Sequence, residues 1–301
     1  RPDGGHAEVQ GKLTEDLVER LLAAVHAAFP DLRGASYTVL THSWDSVAIA
    51  LGPMICKFPQ SDAATAALRR EVALLRVIRP RLSVSVPDMT LFEGPALFST
   101  HRTIAGDHLP PAAYAALPEA AKARLGATLG KFYAELHCVP TDLTVAAGAM
   151  PAQPWAHPDI LLEKAVPALP ETIRARARAV IGQYAALGPD PLGQICGYYD
   201  GHGWNMAFDF ARKRLAGLYD FADAGIGPVH RDFVYPGFIA RDLVLRIVAA
   251  YAAETGRRPD QRRIDILTAA LRLSELAGAT GNPEHLGDMR RNAVEWLALM
   301  A

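Results

Sequence analysis

The sequence contains few cysteines and no long apolar run. The three cysteines are Cys56, Cys138 and Cys196, and their wide spacing provides neither a disulfide framework nor a zinc motif. A reducing cytoplasm is therefore the expected location. No uncharged apolar stretch reaches roughly eighteen residues, and residues 1–12 lack the apolar centre of a signal peptide. We expect a cytoplasmic protein with no membrane partner.

An excess of charge of either sign is also missing. The 301 residues include 31 Lys and Arg against 32 Asp and Glu, a formal net charge of −1. A nucleic-acid partner would require a basic face, so we expect none. Half of the residues are hydrophobic. This length and composition fit one large or two modest folded domains and give no indication of disorder.

One ordered set of polar residues lies near the middle of the chain. In the run 197–225, Asp200 precedes Asn205 by five residues, and Asp220 ends an apolar segment that is typical of a strand. Phosphoryl transfer requires a positioned hydroxyl and a metal that neutralises phosphate charge. The spacing suits Asp200 as a base and suits Asn205 and Asp220 as Mg²⁺ ligands. Because Asp, Asn and Gly also crowd ordinary surface turns, the pattern needs partners elsewhere in the chain.

Such partners precede it. Lys57 lies in the apolar segment 54–58, which predicts a largely buried strand, where a lysine is costly unless it is paired. A helix is predicted next, with Ser61 or Asp62 as N-cap and Glu71 near its apolar face. Glu71 can reach back to Lys57, although a snorkelling lysine and a solvated glutamate are the alternatives. This pair would anchor the phosphates of a nucleotide.

The order of these features resembles the aminoglycoside phosphotransferase and choline kinase-like group of the protein-kinase-like fold. The residues that carry the resemblance are YDGHGWN, LYDFADAGIG, Leu136-His137 and Asp232. It extends from about residue 36 to about residue 250. It implies an α+β bilobal fold, with a nucleotide-binding lobe at 1–105 and a catalytic, acceptor-binding lobe at 106–301.

The resemblance also implies ligands. ATP or GTP with Mg²⁺ would be the co-substrate, the hinge backbone at Arg102 and Ile104 would meet the base, and a hydroxylated small molecule would be the acceptor. The turn at 41–46 (THSWDS) contains no glycine, so backbone amides and Ser43 or Ser46 would have to hold the phosphates. At a second departure, Tyr198 stands where the family usually has histidine. We expect its hydroxyl or its ring to support the loop.

The sequence is compatible with several kinds of acceptor. A polycationic aminoglycoside would require carboxylates, and acidic residues lie in the predicted helices at Asp159, Glu163, Asp265, Glu275, Glu284 and Asp288. His202 is a structural or substrate-facing ring in this interpretation. We favour an amino sugar slightly over a neutral alcohol, a sugar, a macrolide or choline. A non-catalytic metabolite-binding protein and a protein kinase are the remaining alternatives.

Three further expectations concern single residues near the loop. Trp204 is expected to pack under it, Phe221 to be a packing residue, and Asp223 to hydrogen-bond the backbone beyond the metal site.

The secondary-structure pattern predicts a five-stranded antiparallel sheet with one inserted helix, followed by a mainly helical region. The expected segments are a helix at 14–29; strands at 37–40, 47–51, 54–58, 87–92 and 95–100; a hinge at 101–106; helices at 112–117, 118–137, 158–169 and 171–187; and helices at 242–254, 261–277 and 284–300.

Overall fold

The computed structural model of the chain describes residues 14–40, 46–94 and 96–300. The first part is a five-stranded antiparallel sheet in the order β1-β2-β3-β5-β4. Its strands are β1 (Tyr37–Leu40), β2 (Ser46–Leu51), β3 (Met54–Pro59), β4 (Thr90–Phe92) and β5 (Phe98–Arg102). The predicted five-stranded antiparallel sheet and the α+β class are confirmed.

Helix α1 (Glu15–Ala28) covers one face of this sheet. It begins at Thr14, whose hydroxyl accepts a hydrogen bond from the Leu17 N–H, and it buries Leu21 and Val25 against the sheet. In β2 every second residue is buried, as expected for a strand with one face in a core. The sheet therefore has its own small core.

Helix α2 (Asp62–Ile78) connects β3 to β4. Ser61 caps it by accepting a hydrogen bond from the Ala64 N–H, as one of the two predicted caps would. Leu68, Val72 and Leu75 form its buried apolar stripe, and Glu71 lies on the same buried side. The helix thus carries a carboxylate toward the interior beside β3.

The second part of the chain is mainly helical. Its helices are α3 (Pro111–Ala115), α4 (Glu119–His137), α5 (Thr141–Ala146), α6 (Pro158–Ile160), α7 (Val166–Ala168), α8 (Glu171–Ala185), α9 (Val229–Asp232), α10 (Arg241–Thr255), α11 (Gln261–Ala279) and α12 (Pro283–Leu299). Two antiparallel strand pairs lie among them: β6 (Gln194–Gly197) with β9 (Gly225–Pro228), and β7 (Met206–Asp209) with β8 (Arg214–Leu218).

Helix α4 lies in the core of this second part. It packs closely on α10 at Gly130, where any larger residue would clash: a Cβ there would lie only 2.5 Å from the Cβ of Ala250. On the same helix, Phe132 and Tyr133 are fully buried in the largest core cluster. The loop between β6 and β7 rests on this core, since a Cβ at Gly201 would lie 2.3 Å from the Tyr133 hydroxyl.

Several predicted bounds differ from the structure, and some short helices were not predicted. The strand expected at 87–92 begins only at Thr90, because Pro87 has no N–H for a ladder and Ser85 bridges to Gly217 instead. His101 and Arg102, expected in a hinge, pair with β3 as part of β5. A π-helical turn, Leu161–Ala165, interrupts the helix expected at 158–169. Helices α5 and α9 were not predicted.

No helix among the described residues is long and apolar enough to cross a membrane.

Candidate active site

The loop that carries Asp200 begins where β6 ends, and Asp232 anchors its start. The Asp232 carboxylate accepts hydrogen bonds from the backbone N–H groups of Tyr198 and Tyr199, at 2.9 and 2.7 Å. It also lies 3.0 Å from His137 Nε2 in a fully buried pair. Tyr199 adopts a left-handed conformation (φ 55°), which is unusual for a residue other than glycine. These contacts fix the backbone immediately before Asp200.

Tyr198 supports the loop in the two ways expected from the sequence. Its hydroxyl donates a hydrogen bond to the carbonyl oxygen of Tyr219. Its ring stacks on Phe221 with centroids 4.5 Å apart. Burial raises the pKa of Tyr198 well above its usual range, so the hydroxyl keeps its proton and remains a donor. Tyr198 thereby connects the Asp200 loop to the residues on both sides of Asp220, and Phe221 is the packing residue that was predicted.

Asp200 and Asn205 are joined directly across the loop. The Asn205 amide nitrogen donates to Asp200 Oδ2 at 2.6 Å and to the Asp200 carbonyl at 3.0 Å. His202 Nε2 lies 3.0 Å from the other Asp200 oxygen, Oδ1. Burial lowers the pKa of His202, but the hydrogen bond and the charge of Asp200 outweigh it, so that pKa is raised. The Asp200 carboxylate is therefore held on both of its oxygens.

Lys57 lies between two carboxylates from distant parts of the chain. Its Nζ is 3.2 Å from Glu71 Oε2 and 3.2 Å from Asp220 Oδ1. The other Glu71 oxygen accepts the Phe221 N–H at 2.9 Å. Burial opposes the charge of Lys57, yet the two carboxylates more than compensate and raise its pKa. The Lys57 ammonium thus connects β3 with α2 and with the segment after β8.

Asp220 itself has a left-handed backbone (φ 60°), a second case of local strain next to the candidate site. The strand expected to end at Asp220 stops at Leu218, and Asp220 follows it on the loop. Its side chain is 45% exposed, in contrast to the buried Glu71. Its carboxylate is accessible to a ligand from solvent.

Two expectations about neighbouring residues were wrong. Trp204 does not pack under the loop: it is 59% exposed, with its ring 5.1 Å from that of His108. Asp223 makes no hydrogen bond to the backbone of any described residue. Instead, desolvation of its carboxyl and the charges of Asp200 and Asp220 raise the pKa of Asp223 to about 6, although the residue as a whole is exposed. Asp223 therefore belongs to the candidate site.

The hinge follows β5. Arg102 pairs with Met54, and its carbonyl oxygen lies 2.9 Å from His101 Nδ1. The backbone N–H and C=O of Ile104 form no hydrogen bond with a described residue, so both groups are available to a ligand. Ser43, the expected phosphate contact, lies outside the described residues, and Ser46 is the first residue of β2.

A profile of the Phosphotransferase enzyme family matches residues 36–267. The chain belongs to this family. It is a phosphotransferase of the small-molecule kinase class, with an alcohol group as acceptor. A comparison with curated protein sequences gave no significant match.

Solved structures show the same fold in other members of the kinase-like group. The GDP complex of wild-type aminoglycoside 2'-phosphotransferase-IIIa matches with a TM-score of 0.76 at 20% identity, covering 94% of this chain and 99% of that one. Macrolide 2'-phosphotransferase type I matches with a TM-score of 0.64 at 17% identity, covering 93% and 98%. Macrolide 2'-phosphotransferase MphH from Brachybacterium faecium matches with a TM-score of 0.62 at 18% identity, covering 91% and 97%. The kinase-like fold expected from the sequence is confirmed.

Asn205 and Asp220 are the two candidate magnesium ligands of this phosphotransferase. No group of three His, Cys, Asp or Glu side chains in the described part of the chain is arranged for a metal. Asn205 and Asp220 offer one amide oxygen and one carboxylate, and the Asn205 nitrogen is already engaged by Asp200. Mg²⁺ is commonly held by one or two carboxylates, with phosphate and water as the other ligands. The donor set therefore fits a metal that arrives with a nucleotide.

The acidic residues considered for the acceptor are exposed or already paired. Asp159 is exposed beside His157 Nδ1 at 3.3 Å, and Glu163 is exposed on the π-helical turn. Arg241 holds Asp265 through two nitrogens, and Arg272 lies 3.0 Å from Glu275. Asp288 is paired with Arg291, and Glu284 lies in the first turn of α12. Arginines thus occupy Asp265, Glu275 and Asp288, whereas Asp159, Glu163 and Glu284 stay exposed to solvent.

Aromatic and basic side chains stand beside Asp200 instead. The His202 ring is parallel to that of Phe238 with centroids 6.5 Å apart, and the Arg272 guanidinium lies 3.3 Å from the centre of the Phe238 ring. Sequence reasoning missed Phe238 and Arg272, because their proximity to the loop depends on the packing of α11. The aromatic pair Tyr235-Phe238, three residues apart and soon after Asp232, was the only available signal.

Proposed function

We propose that this phosphotransferase moves the γ-phosphate of ATP or GTP to a hydroxyl group of a small molecule. Asp200 is the base that accepts the hydroxyl proton, and Asn205 and Asp220 hold Mg²⁺. Lys57, positioned by Glu71, binds the phosphates. The observation that carries the proposal is the position of Lys57, 3.2 Å from both Glu71 and Asp220. A cation fixed beside a metal-ligating carboxylate is what phosphate anchoring requires.

The chemistry follows from the positions of the donors and acceptors. The Asn205 amide nitrogen and His202 Nε2 orient the two Asp200 oxygens. The Asp200 side chain is still 21% exposed, and each carboxylate oxygen has a further lone pair that these contacts do not use. An acceptor hydroxyl within about 3 Å of such an oxygen can transfer its proton to Asp200 as its oxygen bonds to the γ-phosphorus. The bond from that phosphorus to the β,γ-bridging oxygen breaks, and the nucleoside diphosphate leaves. The metal, when bound, neutralises negative charge on the phosphates.

We further propose that the nucleotide-binding lobe ends at residue 105 and that the acceptor-binding lobe begins at 106. Gly106 supports this boundary, since its φ is 150° and a Cβ there would lie 2.7 Å from the backbone of Ala207 and Phe208. Asp107 then exchanges two backbone hydrogen bonds with Phe208. The free backbone groups of Ile104, with Arg102 before them, would meet the nucleotide base just ahead of this boundary.

For the acceptor, an amino sugar of the aminoglycoside type is one candidate, with Asp159, Glu163 and His202 as contacts. The solved structure of APH(2")-IIia in complex with GDP and kanamycin matches this chain with a TM-score of 0.73 at 21% identity. A neutral acceptor is the second candidate, and the pairing of Asp265 and Glu275 with arginines favours it. The salt dependence of KM separates the two. KM should rise between low and physiological ionic strength for a polycation and stay constant for a neutral molecule.

Nucleotide binding is the first test. A ligand that binds only the folded state raises its melting temperature by mass action. ATP or GTP with Mg²⁺ should therefore raise it, and Lys57→Ala should reduce that shift. Lys131→Ala, which removes an exposed lysine from α4, is the matched control and should keep the wild-type shift. The absence of a shift with both nucleotides at millimolar concentration would refute the assignment.

A further inference from the structure

A cavity of about 510 Å³ lies behind the catalytic loop. It is bounded by residues 154–159, by the end of α8 and by the beginning of α11. Trp155 and Tyr184 contribute aromatic surface to it, and Arg231 and Arg263 contribute positive charge. Volumes of this size are typical of small-molecule sites. Apart from Asp159, which is proposed above as an acceptor contact, none of its lining residues has a role in the phosphotransfer proposed above.

The acidic residues that line the cavity have little capacity left for a cation. The side chain of Asp190 is buried, and its carboxylate accepts hydrogen bonds from the backbone N–H groups of Leu192 and His230, at 2.8 and 2.9 Å. Asp190 Oδ1 also lies 2.8 Å from His230 Nδ1. Asp159 is at the mouth, 83% exposed and next to His157. The interior of the cavity is therefore richer in unused donors than in unused acceptors.

The two arginines are the source of these donors. The Arg231 guanidinium lies 4.3 Å from the centre of the Trp155 ring, and one terminal nitrogen donates to the Gln153 carbonyl. Arg263 Nη2 donates to the Gly188 carbonyl at 2.5 Å. In both residues Nε is buried and has no hydrogen-bond partner, and neither arginine forms an ion pair with a described carboxylate. Two guanidinium charges that line one cavity without a carboxylate partner favour an anionic ligand there.

We propose that this cavity binds the carboxylate or phosphate group of a small molecule, with Arg231 and Arg263 as its cationic ligands. Guanidinium groups match both oxyanions because their N–H donors form a planar fork. The proposal goes beyond the phosphotransfer assigned above and needs neither the nucleotide nor the acceptor. Arg231 also lies 5.7 Å from the ring centre of Tyr199, the residue before Asp200, so Arg231 connects this cavity to the start of the catalytic loop.

Calorimetric titration with inorganic phosphate and, separately, with benzoate tests the proposal. Excess ADP and Mg²⁺ are included to fill the nucleotide site, and ionic strength is held constant with chloride. We expect saturable binding of at least one probe with one site per chain. Phosphate alone would identify a phosphate site, and benzoate alone a carboxylate site. Lys57→Ala should leave the binding intact, which separates this result from the fate of the nucleotide assignment.

Variants locate the site. Arg263→Gln should weaken binding about tenfold or more, and Arg263→Lys should weaken it less, because the charge remains while the fork is lost. Arg231→Gln is a second, independent variant. Arg262→Gln is the matched control, since Arg262 is exposed and does not line the cavity. The proposal is overturned if neither probe binds saturably up to about 20 mM, or if Arg262→Gln weakens binding as much as Arg263→Gln.

Discussion

The side-chain nitrogen of Asn205 lies 2.6 Å from Asp200 Oδ2 and 3.0 Å from the Asp200 carbonyl oxygen. Both hydrogen bonds use the same amide nitrogen, so the orientation of the amide is fixed. The Asn205 oxygen is then the atom left for a metal ion. One side chain therefore couples the orientation of the proposed base to the proposed metal site.

Replacing Asn205 should impair both functions together. Asn205→Ala removes a metal ligand and one of the groups that orient Asp200, and we expect about a 10- to 100-fold loss of Mg²⁺ affinity or of turnover. Magnesium titrations of steady-state activity measure this effect. Asn282→Ala is the control, because Asn282 caps α12 and should affect stability alone. Wild-type magnesium dependence in Asn205→Ala would remove this residue from the metal site.

Asp200 and Asp220 should differ in what their loss affects. Asp200→Asn keeps the size of the side chain but abolishes the base, so nucleotide binding should persist while turnover is lost. Asp220→Asn should also weaken Mg²⁺-dependent nucleotide binding, because a carboxylate ligand is removed. Nucleotide titrations and turnover measurements on both variants make the comparison. Near wild-type turnover in Asp200→Asn would exclude Asp200 as the base.

Tyr198 should contribute to stability mainly through its ring. Tyr198→Phe loses only the hydrogen bond to the Tyr219 carbonyl, at a cost of about 1 kcal/mol. Tyr198→Ala also leaves a cavity beside Phe221, and the expected cost is about 3 to 5 kcal/mol. Denaturant unfolding measures both, with the exposed Tyr37→Phe as control. If Tyr198→Ala were as stable and active as the wild type, the residue would have no supporting role.

Asp223 should make stability depend on pH. Its pKa is about 6 in the folded protein, against an ordinary value of 3.8. Between these values the folded state keeps a proton that the unfolded chain has lost, so stability falls as pH rises through this window. Asp223→Asn should therefore raise the melting temperature at pH 8 and leave it nearly unchanged at pH 4. An equal effect at both pH values would show that the charge of Asp223 carries no penalty.

The Lys57–Glu71 part of the site could be predicted from the pattern of apolar and polar residues along the chain. Lys57 occurs in an apolar run, and Glu71 follows on a helix whose cap and apolar spacing are visible in the sequence, so their contact requires only strand–helix packing. Tyr198 was placed correctly because its neighbours match a known loop.

The wrong predictions concern residues whose exposure or backbone conformation is set by contacts with distant parts of the chain. The exposure of Trp204 and the carboxylates around Asp223 depend on how the loop meets distant segments. The left-handed backbone at Asp220 cannot be read from its side chain, since aspartate is common in ordinary turns as well. Arg231 and Arg263 come together only because α9 and α11 border one cavity, and neither is marked by a local motif.

Nucleotide-dependent phosphorylation of a small-molecule hydroxyl, with Asp200 as base, can be tested directly. The most direct measurement is consumption of ATP and of GTP by the wild type and by Asp200→Asn, over a panel that contains aminoglycosides, macrolides, choline and neutral sugars. We expect acceptor-dependent consumption by the wild type with at least one small molecule, a phosphorylated product of matching mass, and no such activity in Asp200→Asn. Phosphorylation of protein substrates with no turnover of any small alcohol, or equal activity in Asp200→Asn, would contradict it.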